Sequence, residues 1–144
     1  MSSIILWSMD KSRNLRTGRH CLFLMHVHLV FVTKYRRSVF TAEMINALKK
    51  YFAKICRGME AKLVECNGEA DHIHLLVNYP PKLPVSKLVN SLKGATSRKM
   101  KNRFPQLQKY FWKGSLWSPS YFAGSCGGAP LDLVKKYVQS QRIE

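Results

Sequence analysis

The stretch AKLVECNGEADHIHLLVNY, residues Ala61–Tyr79, decides the fold. Ala61 to Cys66 and His72 to Tyr79 read as two strands, with Asn67-Gly68 as the short turn between them. Side chains alternate along a strand, so Ile73, Leu75 and Val77 share one face while His72 and His74 share the other. The apolar face needs a covering layer, and both flanks of the hairpin offer a helix. Upstream, Thr41 is a helix N-cap, and Met44, Ile45, Leu48, Phe52 and Ile55 recur at helical spacing until Gly58. Downstream, Pro80, Pro81 and Pro84 break the chain before a second helix whose apolar stripe is Val85, Leu88, Val89 and Leu92.

Further out, Cys21 to Thr33 is β-branched and aromatic and reads as the first strand, followed by the turn Lys34-Tyr35-Arg36-Arg37. Trp117 to Ala123 reads as a fourth strand, interrupted or edged by Pro119. Gly124 to Gly128 forms a glycine-rich hinge, and Pro130 opens a C-terminal helix running through Tyr137 and Gln141. The order β-α-β-β-α-β plus a helix is that of an α+β, ferredoxin-like (RRM-like) antiparallel sheet with helices on one face. Residues 1–20 read as a basic N-terminal extension and 21–144 as one domain.

The 144 residues carry 24 Lys+Arg against 8 Asp+Glu, a formal charge of +16. Successive thirds of the chain hold 7, 8 and 9 of the basic residues, so the charge belongs to the fold and not to a detachable arm. Such a surface implies a polyanion partner, nucleic acid first. Eight acids without paired spacing weigh against chemistry by a carboxylate cluster. Four dispersed cysteines fit a reducing, cytoplasmic setting better than a disulfide scaffold. No apolar run is long enough to span a bilayer, so no membrane partner is expected.

Four of the five histidines form two His-x-His pairs, His26/His28 and His72/His74. Two imidazoles on one face of a strand are a natural start for a divalent metal site. The second pair follows a turn and enters an alternating strand, whereas the first lies amid bulky apolar neighbours, so the second is the candidate site. His28 is a possible support from a neighbouring strand. Tyr137 and Gln141 stand four apart, on one face of a helix. A phenol and a neutral oxygen ligand presented together suit metal-assisted attack on a phosphodiester.

Asp71-His72-Ile73-His74-Leu75-Leu76, Leu116-Trp117-Ser118-Pro119-Ser120-Tyr121 and Lys136-Tyr137-Val138-Gln139-Ser140-Gln141 together resemble the single-tyrosine HUH transposases of the insertion-sequence 200/605 family. Val32-Thr33-Lys34-Tyr35-Arg36-Arg37 and Leu92-Lys93-Gly94-Ala95 resemble further segments of that family, and the likeness runs from Leu22 to Ile143. Ala70 stands where relatives often have proline. The resemblance implies a homodimer that cuts and rejoins single-stranded DNA with hairpin ends, with active sites shared between subunits. It implies Tyr137 as the nucleophile and His72, His74 and Gln141 as ligands of Mg2+ or Mn2+, and a phosphotyrosine link that makes a nucleotide cofactor unnecessary. Lys34, Tyr35, Arg36, Arg37, Arg98 and Arg103 are candidate DNA contacts; Tyr35, Trp112 and Trp117 are candidate base-stacking rings, with a place in the core as the first reading of each. Three other readings stand beside this one: a non-catalytic single-strand-binding module, a replication-initiator or relaxase-type HUH nuclease, and a structural zinc site on Cys66, His72 and His74.

Overall fold

The computed structural model describes residues 16–18, 20–125 and 137–141. A short hairpin pairs β1 (Arg16–Gly18) with β2 (Cys21–Phe23). The main sheet holds β3 (His26–Val32), β4 (Lys62–Glu69), β5 (His72–Asn78) and β6 (Phe122–Ser125) in the order β4-β5-β3-β6, every neighbour antiparallel. Helix α1 (Ala42–Gly58) links β3 to β4, while α2 (Val85–Arg103) and the short α3 (Gln106–Phe111) lie between β5 and β6. This is the α+β, ferredoxin-like order the sequence implies.

The core lies between the helices and one face of the sheet. Val27, Leu29 and Phe31 of β3 meet Leu75, Ile73 and Val77 of β5 on that face, and all are buried with Leu48, Phe52, Leu88 and Leu92 of the helices. Burying each such side chain contributes about 1.5–3 kcal/mol relative to exposure. Thr41 caps α1 as its sequence suggests, its hydroxyl accepting from the Met44 amide at 3.2 Å. A bulge at Val64 keeps Leu63 and Cys66 on the core side although they are three residues apart.

Three expectations are corrected. The first strand breaks at Leu24-Met25, so Cys21–Phe23 turns back to pair with Arg16–Gly18, part of the basic N-terminal stretch, while His26–Val32 enters the main sheet. Asn67-Gly68 is not the turn: both lie within β4, opposite His74 and Ile73, and the loop is Ala70-Asp71. The glycine answers to crowding, since a Cβ there would meet the His72 carbonyl oxygen at 3.0 Å and Ile73 Cγ1 at 3.2 Å. Register follows the apolar alternation of β5 in preference to the local turn signal. The fourth strand begins at Phe122, and Trp117 makes only an isolated bridge with Thr33. Pro119 has no N–H to give, and the Lys93 ammonium takes the carbonyls of Ser118, Pro119 and Ser120, at 2.6, 3.3 and 3.2 Å.

Of the two readings of Trp117 the core one holds: it is 1% exposed. Its ring lies 5.7 Å from Phe31, 5.5 Å from Phe40 and 6.3 Å from Phe52, and its Nε1 donates to Thr96 Oγ1 at 3.0 Å. Trp117→Ala is therefore expected to destabilise the fold by about 3–5 kcal/mol, read as a lowered midpoint in chemical denaturation. The hinge residues Cys126, Gly127 and Gly128 and the expected start of the last helix at Pro130 lie outside the described residues. Within them, residues 137–140 are helical.

Candidate active site

Two sets of side chains gather on the sheet's other face and at the end of β3. The first is built on β5. His72 and His74 stand on the face away from the helices, their rings stacked with centroids 6.4 Å apart and planes 23° from parallel. Asp71, in the loop before the strand, holds His72 Nδ1 at 2.8 Å through Oδ1. A carboxylate only accepts, so Nδ1 carries a proton, and in the neutral ring that leaves the Nε2 lone pair for a ligand. The other Asp71 oxygen pairs with Arg36 Nε at 3.3 Å. That chain fixes the carboxylate, the tautomer and the ring in sequence.

Burial, then the neighbouring His72 and His28, push the His74 pKa below the ordinary histidine value. His74 is thus held in the neutral form that a metal ligand requires. His28 shares the face through register, opposite Leu76, and its Nδ1 is buried with no hydrogen-bond partner. Cys66 does not join them. It lies opposite Leu75 and points to the core, where burial raises its thiol pKa to about 11. The structural zinc reading falls on that alternation.

The second set is built where the chain crosses from α3 to β6. Ser120 Oγ lies 2.9 Å from the Tyr137 hydroxyl, and both Ser118 Oγ (3.3 Å) and Ser120 Oγ (3.1 Å) donate to Gln141 Oε1. Tyr137 also packs its ring on Phe122, 6.0 Å between centroids. Burial raises the phenol pKa, and the Ser120 hydrogen bond partly opposes that rise. The i,i+4 pair therefore points to one side, as its spacing implies, and the two members meet at Ser120, with Gln141 also reaching Ser118.

Sequence reasoning gave those serines no role, and it gave Lys93 none either. Its half-buried ammonium, its pKa lowered by burial, bridges three successive carbonyls of the segment that carries both serines. The signal was present: a lysine on the buried side of a helix needs acceptors. Lys93→Met should cost about 1–3 kcal/mol in thermal denaturation and loosen the Tyr137 contact, while Lys93→Arg restores part of the loss.

A cavity of about 340 Å³ opens beside the second set, with Thr33, Lys34, Tyr35 and Arg36 on one wall and Ser118, Pro119, Ser140 and Gln141 on the other. The wall is strapped in place: Thr33 N donates to the Asp71 carbonyl at 3.0 Å, Lys34 N to that of Leu116 at 2.7 Å, and Ser118 N to that of Val32 at 2.8 Å. Tyr35 and Arg36 hold positive φ, 63° and 53°, which turns the chain sharply between the straps. Arg36 lines the cavity and reaches Asp71, so it connects the two sets. No hydrogen bond joins the histidine pair to Tyr137 or Gln141 among the described residues. Nor do three or more His, Cys, Asp or Glu side chains converge there as a metal site.

The remaining basic candidates divide. Lys34, Tyr35, Arg36 and Arg37 follow β3 beside the cavity. Arg98 and Arg103 stand exposed on α2, on the helix side of the sheet, and Arg103 lies over the rings of Tyr51 and Phe104. The structure does not bring those two to the imidazoles. Among the described residues no helix is long and apolar enough to cross a membrane.

Comparison with known proteins gives this fold a family. Residues 21–141 match the family model of IS200-like transposases. The chain is 31% identical over 127 residues to the ISDra2 transposase TnpA of Deinococcus radiodurans, covering 88% of this chain and 91% of that one. It is 33% identical over 117 residues to the transposase of insertion sequence element IS200 from Salmonella typhimurium, covering 81% and 76%. A solved Deinococcus radiodurans structure assigned as a transposase superposes with a TM-score of 0.83 at 30% identity, covering 90% of this chain and 99% of that one. A REP-associated tyrosine transposase bound to a REP hairpin shares the fold, with a TM-score of 0.50 at 12% identity over 88% of this chain and 70% of that one. The chain belongs to the IS200-like transposase family.

Proposed function

We propose that this chain is a single-stranded DNA transposase that cleaves and rejoins the ends of its element through a 5′-phosphotyrosine at Tyr137. The observation that carries the reading is the His72–His74 pair braced by Asp71, whose partner Arg36 shares a cavity with Gln141, the helical neighbour of Tyr137. In the proposed step the Tyr137 oxygen forms a bond to the scissile phosphorus as the bond to the 3′ oxygen breaks. The phenolic proton leaves and the 3′ oxygen becomes a free hydroxyl. The new ester conserves the phosphodiester, so attack by a 3′-hydroxyl can rejoin the strand without a nucleotide cofactor.

His72, His74 and Gln141 fit a divalent ion, Mg2+ or Mn2+: one ring has its tautomer fixed, the other is kept neutral, and the amide adds an oxygen. When bound, that ion supplies charge neutralisation at the phosphate. Gln141 must leave its two serines to ligate, since both hold its Oε1. Around that centre Arg36 orients Asp71, Ser120 positions the phenol, and Lys34, Arg36 and Arg37 lie where backbone phosphates would be neutralised.

The finer features of the proposal are recognition of DNA hairpins, a homodimer whose subunits share active sites, and a cytoplasmic setting. The hairpin-bound structural relative supports the first by fold alone. The test is incubation with single-stranded oligonucleotides copied from the flanks of the coding sequence, with Mg2+ or Mn2+. Site-specific cleavage with protein left on the strand is expected. Tight binding without cleavage would favour the non-catalytic single-strand module instead.

A further inference from the structure

Beside the cavity lies a surface on which cations and exposed rings alternate. The Arg37 guanidinium carbon sits 5.7 Å from the Tyr35 ring centre and 5.5 Å from that of Tyr110, bridging two rings that are 39% and 48% exposed. The Lys34 ammonium lies 5.5 Å from the Tyr35 centre. Lys34 also reaches the turn after α3, since its Nζ would be 3.5 Å from a Cβ at Gly114, and Lys101 donates to the Gly114 carbonyl. That same turn follows Trp112, which is 77% exposed.

Two features show that this surface is not satisfied by the protein itself. No carboxylate pairs with Lys34, Arg37 or Lys101 among the described residues, although Arg36 has Asp71 and Lys82 has Glu60. Arg37 Nε is buried and has no hydrogen-bond partner. Exposed rings beside cations without carboxylate partners are what an unpaired polynucleotide can use: π faces for its bases and positive charge for its phosphates. A duplex hides its base faces and could use only the charges. Tyr35 and Lys34 belong both to this surface and to the cavity wall, so the surface continues from the candidate active site.

Resting on the proposed function, we infer that Tyr35, Arg37, Tyr110 and Trp112 form a stacking platform that carries the unpaired DNA strand flanking the scissile phosphate out of the active site. Lys34 and Lys101 neutralise its phosphates. Tyr110 and Trp112 lie about 75 residues beyond the turn that carries Tyr35 and Arg37, and only the fold assembles the four.

The platform is tested by binding in the Tyr137→Phe chain, so that cleavage plays no part. A twelve-nucleotide oligo(dT) should quench tryptophan fluorescence, and the quench should vanish in Trp112→Ala. Affinity should fall roughly tenfold for Tyr110→Ala and again for Trp112→Ala, and the strand should bind more tightly than a duplex of equal length. A flank carrying 5-iodouracil should photo-cross-link to Tyr110 or Trp112 in the unsubstituted chain, which needs no variant to fold. Unchanged affinity in both variants, equal affinity for duplex, or cross-links confined elsewhere would each overturn the platform. If the flank cross-links at Tyr110 or Trp112 but the chain cleaves nothing, the platform stands and the transposase chemistry falls. If it cleaves while the cross-links lie elsewhere, the reverse holds.

Discussion

Tyr137→Phe removes one oxygen and is expected to lower strand cleavage by at least about 10³-fold while leaving DNA binding and folding nearly intact. The ring packs on Phe122, a contact phenylalanine keeps, and the lost polar contact is the single hydrogen bond with Ser120. Such a bond is worth only about 0.5–1.5 kcal/mol to stability. The asymmetry makes the experiment informative, because a packing role predicts little change and a nucleophile predicts almost complete loss. The pH dependence carries a second sign. Burial raises the Tyr137 pKa above the ordinary tyrosine value, so the phenol is protonated at neutral pH and its proton must be removed for attack. Single-turnover cleavage should therefore rise with pH between 7 and 9. For the same reason the folded state resists ionising this phenol, so its contribution to stability is present below about pH 10 and is lost as pH rises past it.

Replacing either histidine of the β5 pair should be nearly as damaging to cleavage, with the folded chain retained. His72 and His74 are part-buried on the face away from the core, so His72→Ala or His74→Ala removes little packing. Each removes one of two imidazoles, and a loss of about 10²-fold or more in Mn2+ affinity is expected, measured by isothermal titration in the Tyr137→Phe background. Asp71→Asn is the graded version. It keeps the shape but can present its NH2 group to His72 Nδ1, favouring the wrong tautomer, and should weaken the metal about tenfold or more. A chain in which all three substitutions left Mn2+ binding unchanged would not use this pair as a metal site.

The sheet, its two long helices and the faces of β5 were legible because alternation and helical spacing are local properties of buried elements. Thr41, Gly58 and the stripe of α2 lie where such rules place them. What local rules missed was decided by distant partners. Asn67-Gly68 carries the dipeptide of a turn, yet β5 sets the register and Gly68 answers to the close approach of the His72 carbonyl. Trp117 read first as core, but its partners, an aromatic cluster drawn from β3, α1 and the loop before it, are visible only in the fold. Lys93, Ser118 and Ser120 look ordinary in sequence, because a lysine acquires its role from carbonyls 25 residues away. The placement of the candidate residues was legible too: His-x-His on a strand and Tyr-x-x-x-Gln near a helix end each fix a shared side by spacing alone. Their junction through Arg36, Asp71 and the cavity belongs to the fold.

The account is tested most directly by the bond it says is formed. The chain should be incubated with Mn2+ and a single-stranded oligonucleotide spanning its element's end, denatured, digested with protease, and the DNA-linked peptide sequenced by mass spectrometry. A 5′-phosphoryl adduct on Tyr137, absent in Tyr137→Phe, is the predicted result. Cleavage with no protein-linked strand, or an adduct on any other residue, would contradict it.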